Sequence, residues 1–455
     1  MKKRITTTKL IYPAALGILA ISTANAQQDT STFKPGGHIY AETFGDYYVK
    51  AHSDSVPSGS KTTKINAPRQ LVAQNQYSNV SIPNYSAFNF RRIYLGYLYD
   101  FTPKITSDFT FAYESGVENT NTTLAQNTSN DPSLTSDGKR SVYIKFANLR
   151  FKDIIPNADL VVGQQRTPTA VTIVQQVWGY RSVEKTISDM HSSYLGTNTT
   201  DFGAGLFGHF DSNHNFGYDV LVGNGNSAKL ETNTFKKVYT DLYAWLFDKK
   251  VVIQANYDYD RTQLTPYQTS RSLLKGFVAY TSEAFTLGVE AFTANLQNYS
   301  AYKDQSVKTK VDTTGAVAVG VSVFLRGRIV KDKLGYFARY DFWNPDTKFN
   351  SSRIYTLADN SNTIVQGANG TNVSENFFTA GLDWTIAKNV HLLPNVWFDQ
   401  YTDNRITTST TAAAGTINTL TAESPGGSAV GGHLKSDYDL VFRITFSYLF
   451  PYILR

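Results

Sequence analysis

The stretch KSDYDLVFRITFSYLF, Lys435 to Phe450, alternates without a break. Tyr438, Leu440, Phe442, Ile444, Phe446, Tyr448 and Phe450 fall on one side of an extended chain. Lys435, Asp437, Asp439, Arg443, Thr445 and Ser447 fall on the other. A period of two is the mark of a β-strand, whose successive side chains point to opposite faces. Here one face is aromatic and aliphatic and the other ionic, as expected of a strand lying between an apolar phase and water. KITSDFTFAYES repeats the pattern, with Ile105, Phe109, Phe111 and Tyr113 opposite Thr106, Asp108, Thr110 and Glu114. So does VVIQANYDYDR, with Ile253, Tyr257 and Tyr259 opposite Gln254, Asn256, Asp258 and Asp260.

Alternation alone also suits a soluble sandwich with one wet face. The spacing of the segments decides between the two. About sixteen such segments can be read between residues 37 and 450, and their connections alternate in length. The short ones are turn-like: DFTPK at Asp100, DIIPNA at Asp153, VKDKL at Val330, AKN at Ala387. The long ones are rich in Ser, Thr, Asn and Gly. Short turns at one end and long loops at the other, with an even strand count, are how a bacterial outer-membrane barrel is built. The predicted fold is therefore all-β: a transmembrane antiparallel barrel of about sixteen strands, with eighteen as the alternative. Inside a bilayer only helices and edgeless sheets satisfy every backbone group, and no apolar run of 18 residues follows the N-terminal segment to make a spanning helix.

Composition agrees. The 455 residues include 29 Tyr, 28 Phe and 31 Gly, and no Cys, so disulfides and thiolate metal sites are excluded. Residues 1–26 read as a signal peptide, with Lys2, Lys3, Arg4 and Lys9 before an apolar middle and Ala24-Asn25-Ala26 at its end. Residues 27–36 are then a short periplasmic segment and 37–455 the barrel. Removing those four cations from 43 leaves 39 against 37 acids, a near-neutral protein with no electrostatic case for nucleic acid. No G-x-S-x-G motif, His-x-x-x-His pair or clustered His points to an enzyme or a metal site, and nothing calls for a cofactor. A diffusion channel is the leading reading; an adhesive or structural barrel and an outer-membrane hydrolase are the alternatives.

Two details strain the pattern. Pro394 lies inside VHLLPNVWFDQY, where it removes a ladder donor, so a bulge is expected there. In FNFRRIYLGYLY the alternation turns Arg91 outward with Ile93, Leu95, Tyr97 and Tyr99, and Arg92 inward.

FGDYYVKAHSDS, FNFRRIYLGYLYDFTPKIT, KRSVYIKF, VVGQQRTPT, VWGYRSVEKTISDM, NFGYDVLVGNG and HLLPNVW resemble the outer-membrane porins of the Bacteroidetes, which are similar to the phosphate-selective porins. The resemblance covers nearly the whole chain after residue 26. It implies a water-filled pore for small hydrophilic solutes or ions, phosphate among the candidates, a homotrimer in outer-membrane lipid, and a loop folded inward to narrow each pore. Phe450 occupies the place of the usual terminal aromatic residue, but Pro451 to Arg455 follow it. The basic segment associated with phosphate is only thinly matched, which leaves the solute open.

The resemblance also gives a place to QQVWGYRSVEK, Gln175 to Lys185, where the period of two disappears. It lies in the third long outer loop, Arg166 to Thr199. Within it VEKTISDM shows helical spacing, with Val183, Ile187 and Met190 on one stripe. Trp178 and Tyr180 are expected to anchor the loop and Gly179 to allow a bend. Arg166, Arg181, Glu184, Lys185 and Asp189 are the candidate constriction residues, facing Asp108, Glu114, Asp258, Asp260 and Arg443 on the lumen wall. Two roles are open to the loop charges: acting on the solute, or tacking the loop to the wall.

Overall fold

The computed structural model describes residues 33–52, 84–114, 140–170, 173–264, 267–303, 311–348, 356–357, 373–403 and 436–454. The N-terminal segment read as a signal peptide lies outside them. Sixteen long strands run up and down in chain order: β1 Gly36–His52, β2 Tyr85–Thr102, β3 Ile105–Glu114, β4 Tyr143–Ile155, β5 Ala158–Arg166, β6 Thr200–His209, β7 Phe216–Gly223, β8 Lys237–Leu246, β9 Val251–Leu264, β10 Tyr267–Thr281, β11 Phe285–Lys303, β12 Val311–Val330, β13 Leu334–Asn344, β15 Val373–Ala387, β16 Val390–Asp403 and β17 Ser436–Leu454. A two-residue strand, β14 Thr356–Leu357, adds to the rim of β11. Each strand pairs antiparallel with the next, and β1 pairs with both β2 and β17. The sheet therefore has no free edge: a closed transmembrane β-barrel of sixteen strands.

The two faces are those read from the alternation. On β17, Phe442, Ile444 and Phe450 are 53 %, 47 % and 46 % exposed on the outside, while Arg443 and Thr445 are buried on the inside. Pairing with β1 continues past Phe450, through Tyr40↔Pro451 to Gly37↔Leu454. The connections differ from the expected alternation at two places. β9 and β10 approach within two residues of each other, and β11 and β12 reach Lys303 and Val311. In sequence, stretches such as Gln268-Thr269-Ser270 and Asp312-Thr313-Thr314 carry consecutive polar residues, so no period of two marked these rims.

The arginine pair corrects the sequence reading. Phe44 of β1 pairs with Arg92 but Gly45 pairs with Phe90, so Arg91 is the extra residue of a β-bulge. The bulge reverses the parity of β2. Below it Ile93 and Leu95 face out; above it Phe88 does, 80 % exposed; Arg91 and Arg92 both turn inward and are buried. A second bulge sits on β4, where Thr110 pairs with Phe146 and Phe111 with Ile144. It turns Lys145 and Phe146 inward together, both within 6 Å of the lumen's cation–π partners, Lys145 over Tyr94 at 5.3 Å and Arg166 over Phe146 at 4.6 Å. At Pro394 the expected bulge is absent. Gly381↔Asn395 and Trp384↔Leu392 keep one register, and the pairing merely lapses between them while Pro394↔Ile444 persists on the other side. The missing donor faces β15, so the ladder loses a rung and needs no extra residue.

Replacing Phe442 by Arg should cost about 2–4 kcal/mol, the penalty for a cation on a barrel's lipid face. Ser447→Arg, on the lumen face, should fold normally. Heat-modifiability on gels and urea unfolding in lipid measure both; equal tolerance would mean the faces are reversed.

Candidate functional site

The loop between β5 and β6, residues 167–199, folds into the barrel. It carries three short helices, α1 Ile173–Trp178, α2 Ile187–Met190 and α3 Ser192–Leu195. The stripe Val183, Ile187, Met190 is buried, at 0 %, 0 % and 3 % exposed. Only Ile187–Met190 is helical, since Val183 and Glu184 donate their N–H groups to Tyr180 O in a turn. α1 was not anticipated, although Ile173, Val174, Val177 and Trp178 stand at i, i+1, i+4 and i+5, the spacing of one helix face.

Three apolar clusters seat the loop. Val177, Trp178, Tyr180 and Val183 pack with Phe277, Phe324, Phe337 and Leu393 of the wall. Ile187, Tyr194 and Leu195 pack with Leu273, Phe292 and Trp343. Met190 joins Tyr48, Phe377, Trp397 and Val441. Burying each large side chain contributes roughly 1.5–3 kcal/mol, so the loop is held firmly against β9–β17 and β1. Trp178 and Tyr180, the expected anchors, meet edge to face at 5.5 Å, and Tyr180 Oη donates to Asp383 at 3.2 Å.

Arginines of the wall then bind the loop's backbone. Arg91 donates to Ser182 O and Val183 O, Arg443 to Val183 O at 3.1 Å, and Arg339 to Lys185 O. Trp178 Nε1 donates to Glu184 O at 2.9 Å, so every carbonyl from Ser182 to Lys185 is taken. The guanidinium of Arg443 lies 3.7 Å from the Trp397 ring centroid, with Arg91 at 5.1 Å from the same ring. Asp46, 3.4 Å from Arg443, and Glu184, 3.4 Å from Arg91, supply counter-charge. Buried charges need such pairing to be tolerated at all. QQVWGYRSVEK departs from strand spacing because its first residues end α1 and the carbonyls of Ser182–Lys185 are bound by side chains instead of by a neighbouring strand. Gly179, at φ +73°, makes the bend that brings Tyr180 onto Phe337.

The opposite side of the loop faces β1–β5. Arg181 donates to Asp189 at 2.7 Å and to Gln175, while Lys185 lies 3.7 Å from Asp189. Burial raises the pKa of the Asp189 carboxyl, but Lys185 and Arg181 outweigh it and hold the group below the ordinary range, so it stays ionised. Across from it, Glu114 receives Tyr94 Oη, Arg92 at 3.3 Å and Lys145. Arg166 lies 3.7 Å from Asp108. Exposure separates the five constriction candidates. The side chains of Arg166 and Lys185 are 55 % and 26 % exposed, Arg181 10 %, and Glu184 and Asp189 5 % and 1 %. Glu184 faces the arginine clamp and Asp189 braces the loop. Of the wall residues, Asp108 and Glu114 stand beside the passage. Asp258 is buried with Lys237 at 3.6 Å and Thr169, and Asp260 with Arg271 at 2.6 Å. Arg443 belongs to the clamp.

Sequence reading missed Arg91, Arg92, Lys145 and Arg339. Arg91 and Lys145 owe their inward positions to bulges, which leave no mark in the alternation; Arg92 faces inward as the alternation has it. His209 and His214 stack at 3.9 Å beside a short turn, and among the described residues no group of three or more His, Cys, Asp or Glu is arranged to hold a metal ion.

Arg443→Ala removes a buried cation from between Trp397, Asp46 and Val183 O. It should lower stability by about 3–5 kcal/mol, as breaking a buried pair does, and expose Arg181–Lys185 to trypsin in the detergent-solubilised protein. Lys185→Ala should do neither. Unchanged melting and proteolysis in the Arg443 variant would show that the clamp does not hold the loop.

No protein-family model and no curated protein sequence matches the chain. Solved structures do. The chain is similar to an anion-selective porin from Comamonas acidovorans, at 8 % identity and TM-score 0.53, over 92 % of this chain and 100 % of that one. It is also similar to the outer membrane channel DcaP of Acinetobacter baumannii, at 12 % identity and TM-score 0.52, over 92 % and 99 %. At such identities the likeness is one of fold, the porin-type barrel.

Proposed function

We propose that this protein is an outer-membrane porin, a water-filled channel for passive diffusion of small hydrophilic solutes and ions with a modest preference for anions. The observation that carries this reading is the loop itself. It is pinned inside the barrel to one wall, and the charges on its free side face a strip of charges on the other. Cavities of about 270 and 300 Å3 open along β1–β8, and Arg150 and Arg166 line both. A filled barrel would need far fewer than sixteen strands. In a narrow passage with low-dielectric walls a fixed charge acts on an ion at short range, so those few charges set the preference. With Arg150 paired to Asp159, Arg92, Lys145, Arg166, Arg181 and Lys185 stand against Glu42 of β1, Asp108, Glu114 and Asp189, an excess of one. That favours modest anion selectivity over a dedicated phosphate site at the constriction. A homotrimer and Bacteroidetes outer membrane, which the sequence resemblance implies, complete the proposal.

Planar-bilayer recording tests it. The purified protein should give steady open conductance, and a salt gradient should give a reversal potential slightly on the anion side. Arg166→Glu with Lys185→Glu, the two most exposed of those five cations, should move that potential toward cations, and the shift should shrink at high salt as screening grows. A silent protein would sink the channel reading; an open channel with an unmoved potential would place the constriction elsewhere.

A further inference from the structure

Most of the buried arginines of the lumen have a counter-charge: Arg91 with Glu184, Arg92 with Glu114, Arg181 with Asp189, Arg271 with Asp260, Arg339 with Asp341, Arg443 with Asp46. Arg326, on the lumen face of β12, differs. Among the described residues no carboxylate lies within ion-pair distance of it, and its Nε is buried without a hydrogen-bond partner. Its guanidinium lies against Gly179, where a Cβ would come 3.1 Å from Nη1, so the glycine leaves the space it fills. It lines a cavity of about 410 Å3 at the short-turn end of the barrel, under the loop's bend. Arg328 and Lys333 line the same cavity with the hydroxyls of Thr281, Ser282 and Thr385. Of the acids there, Asp383 is occupied by Tyr180 Oη at 3.2 Å and His391 Nδ1 at 2.7 Å. Glu283 and Asp332 sit on exposed turns at the rim.

We infer that this vestibule is a binding site for an oxyanion, the carboxylate or phosphate of a small solute leaving or entering by the short-turn end, with Arg326 as its principal ligand. An unpartnered guanidinium presents donors in a planar fork that matches two oxygens of such a group. The cavity is of the size that takes a small organic anion, and the Thr281 and Thr385 hydroxyls can accept from or donate to the remainder of the solute, Ser282 Oγ being engaged in its own turn. The inference rests on the channel reading for its role, but binding itself does not, so the two can fail separately. The site is distinct from the constriction: Arg166 and Lys185 do not line it.

Equilibrium binding to the folded, detergent-solubilised protein provides the test, with inorganic phosphate and succinate as separate probes followed by calorimetry at low salt. At least one probe should saturate. Arg326→Gln should weaken it roughly tenfold or more, the usual consequence of losing a charge-assisted hydrogen bond, and Arg326→Lys should recover part of the loss. Lys333→Gln, on an exposed turn where folding is not at risk, should weaken binding a few-fold. Which probe saturates distinguishes phosphate from carboxylate. Failure of both to bind, or equal affinity in wild type, Arg326→Gln and Lys333→Gln, overturns the site. A silent channel that still binds the probe through Arg326 would instead overturn the porin function while leaving the site standing.

Discussion

The closing ladder between β1 and β17 is the constraint from which the rest follows. In hydrocarbon an unpaired backbone N–H or C=O costs several kcal/mol, so a sheet of this kind survives only without an edge. Fifteen pairs from Gly37↔Leu454 to His52↔Leu440 supply that closure. Once the outside must be apolar, charges in the middle of the strands go to the lumen. Asp46, Lys50, Arg339, Asp341, Glu375, Asp399, Asp439 and Arg443 are therefore crowded onto one inner wall.

That crowding explains how the loop is held. A polar inner wall offers little apolar surface, but β9–β13 and β16 interrupt their charged faces with Val252, Phe277, Phe324, Phe337 and Leu393, against which Trp178 and Val183 pack. Where the wall returns to charge, arginines reach the carbonyls of Ser182, Val183 and Lys185 instead. Apolar contact sets the loop's position, and the guanidinium bonds set which of its faces is turned to the passage. The loop charges divide by burial: Glu184 is buried against Arg91 and Asp189 against Arg181, while Lys185 and Arg166 keep the larger solvent exposure.

Two β-bulges give the opposing wall its character. A bulge places two successive residues on one face, which regular pairing forbids. Arg91 and Arg92 are used on two sides of the site, the first clamping the loop and the second pairing Glu114; Lys145 joins that pair from β4. The short-turn vestibule reflects the reverse situation, an arginine with no partner where space has been left beside Gly179.

The amino-acid order by itself determined the barrel and the two faces of strands such as β17, because lipid on one side and water on the other imposes a period of two that survives in the residues; it left sixteen and eighteen strands open, and the closed pairing decided for sixteen. It also marked residues 175–185 as something other than strand, and the buried stripe of Val183, Ile187 and Met190. Only the tertiary structure decided which loop charges are spent and which are free. Arg181, Glu184 and Lys185 are near neighbours in sequence, and their partners, Asp189 for Arg181 and Lys185 and Arg91 for Glu184, are chosen by where the apolar contacts seat the loop. The bulges at Arg91 and Lys145 were likewise invisible, because an extra residue is defined only by the strand opposite it. Pro394 shows the same limit in reverse: the residue announced a missing hydrogen bond, but whether the ladder would bulge or simply skip depended on β15, which accommodates the gap in register.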